Sequence, residues 1–227
     1  MKKRIFYTEL AYFLGLLILA VGTAFMERAN FGVSMVVAPA YLLHLKISEI
    51  LPFFSFGMAE YTLQAVILVL IMVILRKVKL SYFFSFVTAV IYGFMLDGSI
   101  AAVSWIPWSG LASNIFFYLA GMLLCSIGVS LLFHTYLSPE AYELFVKEVS
   151  SKFHIDIHKC KTVYDCASCL LAIVLSFAFF GLWHFEGVKW GTIVCALVNG
   201  SIIGLCTKAL EKIWTFEDKF ALKKYFE

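Results

Sequence analysis

Residues 13–22 read "FLGLLILAVG", and residues 119–128 read "LAGMLLCSIG". The second stretch repeats the spacing of the first, so both glycines of one stretch align with glycines of the other. When the alignment is carried forward, Gly32 falls on Ser138, and each of them begins a short segment with helical character. The repeat predicts that the chain is built from two copies of one unit.

Further segments align in the same order along the two copies. The short segment "GVSMVVAPAYLL" corresponds to "SPEAYELFVKEV", and "FGMAEYTLQAVILVL" (56–70) corresponds to "KTVYDCASCLLAIVL" (161–175), which places Glu60 over Asp165. Each copy therefore reads as helix, short helix, helix, helix. Three membrane crossings per copy is an odd number, so the second copy is predicted to be inverted, as in many secondary transporters.

The composition places the chain in the membrane class. Of its 227 residues, 62% are hydrophobic, and the mean hydropathy is +0.91, whereas about half of a soluble domain is apolar. A helix needs about 20 apolar residues to span a bilayer. The predicted fold is an all-α membrane protein with six spans, at residues 5–26, 51–75, 80–104, 111–133, 163–183 and 190–207.

The basic residues predict the orientation. With the N-terminus in the cytoplasm, 15 of the 18 Lys and Arg residues fall on the inner side, and only Arg28, Lys46 and Lys189 fall outside. This bias follows the positive-inside rule, so both termini are predicted to be cytoplasmic. The predicted organisation is a first membrane repeat (1–110), a second membrane repeat (111–208) and a cytoplasmic amphipathic tail (209–227).

The two short segments, 33–45 and 139–153, cannot cross the membrane. The first is apolar all round, which favours a re-entrant element buried in protein on the outer side, with an interfacial helix as the alternative. The second carries an apolar stripe, with its charged residues elsewhere, and is predicted to lie on the inner surface. The stripe consists of Tyr142, Phe145, Val146, Val149 and Phe153, and the charged residues are Glu140, Glu143, Lys147 and Glu148.

Intramembrane ionisable side chains are costly and therefore mark candidate sites. Glu60 is the leading candidate, and a buried carboxyl bonded to a neighbouring helix is the alternative interpretation. Small-molecule sites are usually apolar cavities with a few converging polar groups. The predicted substrate-binding residues are Glu60, Tyr61, Gln64, Asn30, Ser34, Asp97 and Asp165, although a role at the helix end is the simpler interpretation of Asp97.

The stretch "HIDIHKCKTVYDCASC" (154–169) has the composition of a metal or redox site. Its candidate metal ligands are His154, His158, Cys160, Cys166 and Cys169. One C-x-x-C with loosely spaced His is weaker than a zinc-binding pattern, and cytoplasmic cysteines often act as small buried apolar residues. We therefore predict no metal and no cofactor, and a membrane enzyme or redox protein is the minority hypothesis.

The stretches "GTAFMERANFGVSMVV" (22–37), "YGFMLDG" (92–98) and "WGTIVCALVNGSIIG" (190–204) resemble those of the YczE/YyaS/YitT-like bacterial membrane proteins. The resemblance covers nearly the whole chain but not the further soluble domain of full-length YitT-like members. It implies a bacterial integral membrane protein of the cell membrane, for which transport is the usual suggestion. It supplies neither a substrate nor catalytic residues.

The leading functional prediction is a small transporter or permease component that binds an unknown small molecule or ion between two inverted repeats. A non-catalytic membrane partner subunit is the other alternative. No nucleotide-binding loop, serine triad or basic nucleic-acid patch is found in the sequence, so the expected partners are lipid and solute. Gly200 and Gly204 have GxxxG spacing, which permits close helix packing within the fold or in a homo-oligomer.

Overall fold

The computed structural model describes residues 4–181 and 187–219. In this part of the chain there are eight helices and two short strands. The helices are α1 (Thr8–Ala29), α2 (Ala38–Ser48), α3 (Phe56–Leu75), α4 (Leu80–Ser104), α5 (Leu111–Phe133), α6 (Ala141–Phe153), α7 (Ile157–Phe180) and α8 (Trp190–Ile213). The strands are β1 (Arg4–Tyr7) and β2 (Trp214–Glu217).

Six helices of the described chain are long and apolar enough to cross a membrane. They are α1, α3, α4, α5, α7 (from Lys159) and α8, which confirms the prediction of an all-α membrane protein with six candidate spans. The predicted boundaries differ at some ends. For example, α3 begins only after Ser55, whose side chain accepts the Met58 N–H at 3.1 Å and so caps the helix.

The two chain ends meet where the sequence predicts an amphipathic tail. Helix α8 continues to Ile213, and residues 214–217 form β2, which pairs in parallel with β1. Within the predicted tail the chain thus changes from helix to strand at Trp214, in keeping with the preference of Trp, Thr and Phe in "WTFE" for strands. Residues 220–227 of the predicted tail lie outside the described residues.

Helices α1 and α5 form the closest helix pair and run antiparallel. A Cβ atom on Gly22 would lie 2.8 Å from the backbone N of Cys125, and one on Gly128 would lie 2.9 Å from that of Leu19. The absence of a side chain at both glycines therefore lets the two backbones touch. Around this pair, α4 packs on α1 and α8 on α5, while α3 packs on α4 and α7 on α8.

Both short helices lie between the same two spans. Helix α2 contacts α3 and α7, and α6 also contacts α3 and α7. Residues 32–40, which lead into α2, are all buried, and so are residues 138–144, which lead into α6. Both short segments thus enter the interior of the helix bundle.

The burial of α6 corrects the prediction that this helix lies on the inner surface. Tyr142 and Val146 of the apolar stripe are buried as expected, but Glu140 and Glu143 of the charged set are buried as well. The second half of the helix is more open, and Lys147 and Phe153 are exposed there. The preceding segment is held inward because the Ser85 hydroxyl donates to the Pro139 carbonyl (2.6 Å) and the Thr88 hydroxyl to the Ser138 carbonyl (2.9 Å).

Side-chain contacts show which loops share an end of the bundle. Thr8 donates to Asp218 and Tyr136 to Glu9, and Lys79 pairs with Glu148. We call this end, which carries β1 and β2, the terminal face. At the opposite face, the Arg28 guanidinium donates to the carbonyls of Val103, Ile106 and Trp108, and Lys189 donates to Asn30.

Candidate functional site

Seven buried polar side chains form a group at the point where α6 enters the bundle. We call this group the central cluster. Its members come from three helices and from the residue before α6, and each is at most 3% exposed. They are Glu60 and Gln64 (α3), Glu140, Tyr142 and Glu143 (the start of α6), and Lys161 and Asp165 (α7).

Gln64 connects α3 to the start of α6. Its amide nitrogen donates to Glu140 Oε2 at 3.0 Å and to Glu60 Oε2 at 3.4 Å, and its oxygen accepts the Ala141 N–H at 2.9 Å. The first N–H groups of a helix have no partner within that helix, and the side chain of Glu140 does not cap α6. Gln64 therefore supplies a cap from a neighbouring helix.

Tyr142 makes the second connection between α3 and α6. Its hydroxyl donates to Glu60 Oε2 at 3.0 Å, and its ring is buried. Glu60 Oε2 thus accepts from both Tyr142 and Gln64, whereas Glu60 Oε1 has no hydrogen-bond partner among the described residues.

Lys161 is the basic member of the central cluster. Its ammonium nitrogen lies 3.2 Å from Glu143 Oε1 and 3.1 Å from Asp165 Oδ1. Lys161 and Asp165 are one turn apart on α7, a spacing that brings side chains together on one helix face. The central cluster thus holds four carboxyl groups and one amine.

A small interior cavity of about 20 Å³ adjoins the central cluster. Its walls include Ser34 from the segment before α2, Glu140 and Glu143 from the start of α6, and Cys125 from α5. Glu140 Oε1 and Glu143 Oε2 are buried there without a hydrogen-bond partner in the described part of the chain. This volume suits about one water molecule.

The carboxyl group of Glu140 is strongly perturbed by its surroundings. Burial, with the neighbouring Glu143 and Glu60, raises the pKa of Glu140 well above its ordinary value of 4.5. The physical cause is that a buried carboxylate loses its hydration and faces other carboxyls, so the neutral acid is favoured. Ionisable groups with strongly shifted pKa values are found preferentially at functional sites.

The structure brings four of the predicted substrate-binding residues to this region. Glu60, Gln64 and Asp165 belong to the central cluster, and Ser34 lines its cavity. The other three lie elsewhere. Tyr61 packs on Gly93 of α4, Asn30 accepts from Lys189 at the opposite face, and Asp97 caps α3 by accepting the Gly57 N–H at 2.9 Å.

Four members of the central cluster were not among the predicted residues: Glu140, Tyr142, Glu143 and Lys161. Lys161 lies on α7, and the other three belong to the segment 139–153, whose amphipathic pattern favours a surface helix and so hides their burial. The signal that points to the two acids is the repeat itself. The segment 33–40 is predicted to be re-entrant, and its counterpart by alignment contains Glu140 and Glu143.

The candidate metal ligands of 154–169 do not form a group. His154 and Cys166 are exposed, Cys160 and Cys169 are buried, and the side chain of His158 lies outside the described residues. The Cys160 thiol donates to the Val146 carbonyl at 3.7 Å. In the described parts of the chain, no three His, Cys, Asp or Glu side chains are placed to hold a metal ion.

The fold and the central cluster together define a multi-pass membrane protein with an ionisable interior. The chain belongs to the DUF6198 family, a family of unknown function, whose model matches residues 6–208. No curated protein and no solved structure was found to match the chain. The resemblance to YczE/YyaS/YitT-like proteins stays a prediction.

Proposed function

We propose that this protein is a small transporter or permease component. It binds a small molecule or ion between two inverted repeats and moves it across the membrane. The observation that carries the proposal is the central cluster, with four carboxyls and a lysine buried beside a cavity. Ionisable groups inside a membrane bundle are costly and commonly mark substrate or ion pathways.

The contact between α1 and α5 supports the two repeats. Exchanging the copies in the sequence alignment exchanges Gly22 with Gly128 and Leu19 with Cys125. The approach of Gly22 to Cys125 N then becomes that of Gly128 to Leu19 N. The two approaches are equally close, since a Cβ atom on either glycine would lie 2.8 or 2.9 Å from the facing nitrogen. A two-fold axis across an antiparallel helix pair produces this correspondence.

The location of the cavity supports transport. Both short helices, one from each repeat, lie between α3 and α7, and the segments that precede them line the cavity from two sides. The equivalent acids Glu60 and Asp165 are both fully buried. Secondary transporters with inverted repeats bind their solutes at such an interface near the middle of the membrane.

The positive-inside bias supports an orientation in which the terminal face is cytoplasmic. Arg4, Lys79, Lys147, Lys152 and Lys212 belong to segments of that face, and the resemblance described above favours the cell membrane of a bacterium. The lipid bilayer is then the direct partner of the exposed apolar side chains on the six spans.

Alternating access can be tested with a thiol at the cavity. Cys125 lines the cavity and is buried. The experiment uses a variant in which the other five cysteines are replaced by Ser and which is reconstituted in vesicles. If the protein transports, the cavity must open to each side of the membrane in turn. A membrane-impermeant thiol reagent should therefore label Cys125 slowly when it is applied from either side.

The controls for this experiment use the same variant. Labelling in denaturing detergent gives the full signal, and a further Cys125→Ser change gives the background. A cavity that never opens, as expected of a static partner subunit, leaves Cys125 unlabelled from both sides of a folded protein. That result would rule out the proposed transport.

A further inference from the structure

We infer that the species bound at the central cluster is the proton, and that Glu140 is the group that takes it up and releases it. The inference rests on the proposed function and names its coupling ion. The step adds a proton to the carboxylate of Glu140 and removes it again, and no other bond changes.

The balance of charge inside the bundle favours a cationic ligand. Lys161 is paired with Glu143 and Asp165, so its single positive charge is already faced by two carboxyls. Glu140 accepts its direct hydrogen bond from an amide, Gln64, and not from a basic group. Ionisation of Glu140 would therefore leave a buried charge without a counterion of its own, which is strongly unfavourable.

The geometry of Glu140 leaves one oxygen available to the ligand. Oε2 accepts from Gln64 at 3.0 Å, whereas Oε1 is buried and lacks a partner among the described residues. Glu140 is itself a lining residue of the cavity. A protonated Oε1 would become a donor. The unpartnered oxygen therefore indicates a ligand independently of the number of acidic residues in the central cluster.

The size of the cavity and the placement of the acids favour the proton over other cations. The cavity of about 20 Å³ holds no organic solute. A hard metal cation takes about six oxygen ligands at short distance, and no three acidic, His or Cys side chains of the described residues are grouped to hold one. A proton requires only one carboxyl oxygen and no additional space.

The titration of Glu140 depends on groups from every helix packed around it. Helices α3, α4 and α7 contact α6, and the interior side of α1, α5 and α8 completes the surroundings. The titratable and charged groups there are Glu60 (α3), Tyr92 (α4), Glu143 and Tyr142 (α6), Lys161, Tyr164 and Asp165 (α7), Tyr12 (α1) and Cys125 (α5). Among these, Lys161 is the group that favours the ionised form of Glu140.

A route to Glu140 begins at the terminal face. A second cavity, of about 290 Å³, is lined there by Lys79, Lys147, Glu148, Ser138 and Pro139. Ser138 and Pro139, which directly precede Glu140 in the chain, are the lining residues nearest to it in sequence. A small displacement of this segment, which is held by Ser85 and Thr88, would connect Glu140 with the larger cavity.

The inference can be tested by infrared difference spectroscopy of the full chain in lipid. Spectra recorded between acid and alkaline pH are expected to show a protonated carboxyl band that disappears only above the ordinary titration range of Glu. The band should shift in D₂O. Glu140→Gln should remove this component, whereas the matched control Glu49→Gln, at an exposed acid, should leave it unchanged.

A second variant and a salt series complete the test. Glu140→Asp retains a titratable group, so its band should persist with a shifted midpoint even if Glu140→Gln fails to fold. An unchanged spectrum in both folded variants, or a band already lost in the ordinary range, would overturn the inference. If the band is lost when NaCl or KCl is added at constant pH, the bound species is a metal cation and the inference is wrong.

These outcomes can be distinguished from failure of the proposed function. If Cys125 is labelled from both sides but the carboxyl band of Glu140 disappears within the ordinary pH range of Glu, the protein transports without the proposed proton. If Glu140 titrates as expected but Cys125 is never labelled, the proton site is present in a protein that does not alternate.

Discussion

The short helices α2 and α6 are aligned by the sequence repeat and both contact α3 and α7, yet their first turns differ in chemistry. The segment that leads into α2 contributes Ser34 among apolar residues, and it is buried. The segment that leads into α6 is equally buried but contributes Glu140 and Glu143. The fold therefore accepts an apolar segment in this place.

This difference indicates what the acids are for. Replacing buried ion pairs by apolar residues of similar volume is often neutral or stabilising, and the first copy has an apolar segment at the same place. This comparison predicts that the carboxyls at the start of α6 are not required for packing, and the proposed function gives a reason for the cost of burying them.

The largest effect is expected from removing the amine of the central cluster. Lys161→Met leaves Glu143 and Asp165 buried without a positive partner, and breaking a buried pair typically destabilises by about 3–5 kcal/mol. The equivalent residue of the first copy is the buried Phe56, which shows that the place itself tolerates an apolar side chain. Denaturant unfolding in detergent, followed by tryptophan fluorescence, measures the loss.

The control for this prediction removes all three charges. Lys161→Met combined with Glu143→Gln and Asp165→Asn should recover most of the lost stability, because no unpaired charge remains. If the single variant is as stable as the wild type, the two copies do not differ in the way described.

The next effect concerns a region where the copies are alike. Gly22→Ala and Gly128→Ala each place a Cβ within 3.0 Å of backbone atoms of the facing helix. Both should destabilise by about 1–3 kcal/mol, as overpacked sites do. The two losses should be equal within error, because the repeat exchanges the two positions.

Gly98 of α4 provides the matched control for these glycines. A Cβ there would meet nothing within 4 Å, and Ala is favoured over Gly inside a helix by about 1 kcal/mol. Gly98→Ala should therefore be neutral or slightly stabilising. A clear inequality between Gly22→Ala and Gly128→Ala would count against two equivalent copies.

The sequence predicts the spans because their signal is local. Length and hydropathy identify each of the six helices, and a capping residue such as Ser55 only refines a boundary. The pairing of β1 with β2 joins opposite ends of the chain. No local pattern indicates such a contact.

The central cluster could be predicted only in part for the same reason. Glu60 is conspicuous because it is an acid within an apolar span, but its partner Tyr142 is 82 residues away. Glu140 and Glu143 share a helix with exposed residues, so periodicity places them at the surface. Their burial results from tertiary hydrogen bonds made by Ser85 and Thr88, which the pattern of α6 does not contain.

A third prediction concerns the dependence of stability on pH. Burial raises the pKa of Glu140 in the folded protein above 4.5, the ordinary value that applies to the unfolded chain. Below 4.5 both states are protonated, and this contribution to stability is fully present. As pH rises above 4.5 the unfolded chain ionises first, so stability declines until the folded pKa is reached.

The size of this decline is about 1.4 kcal/mol for each unit of difference in pKa. Glu140→Gln should reduce the decline in a series of unfolding curves between acid and alkaline pH. Ser34→Ala, on the equivalent apolar segment, should leave the pH dependence as it is in the wild type. The proposed difference between the two segments would be contradicted by either of two results. One is a smaller loss of stability with rising pH in Ser34→Ala, and the other is an unaltered loss in Glu140→Gln.

The smallest effect is expected at the exposed ion pairs near the two short helices. Lys79 pairs with Glu148 of α6 at 2.6 Å, and Lys46 of α2 pairs with Glu49 at 2.7 Å. Both lysine side chains are 41% exposed. Exposed pairs of this kind contribute only about 0–1 kcal/mol, and salt screens them.

Lys79→Met and Lys46→Met should therefore cost similar, small amounts of unfolding free energy, and the differences should shrink further when unfolding is repeated at high salt. Helix α6 then contributes the glutamate to two Lys–Glu pairs of very different importance, because the pair of Glu143 with Lys161 is buried and that of Glu148 with Lys79 is not. A loss for Lys79→Met as large as that for Lys161→Met would show that the asymmetry extends to the exposed part of α6. Equal, small losses at Lys79 and Lys46 would confine the difference between the copies to the buried first turns.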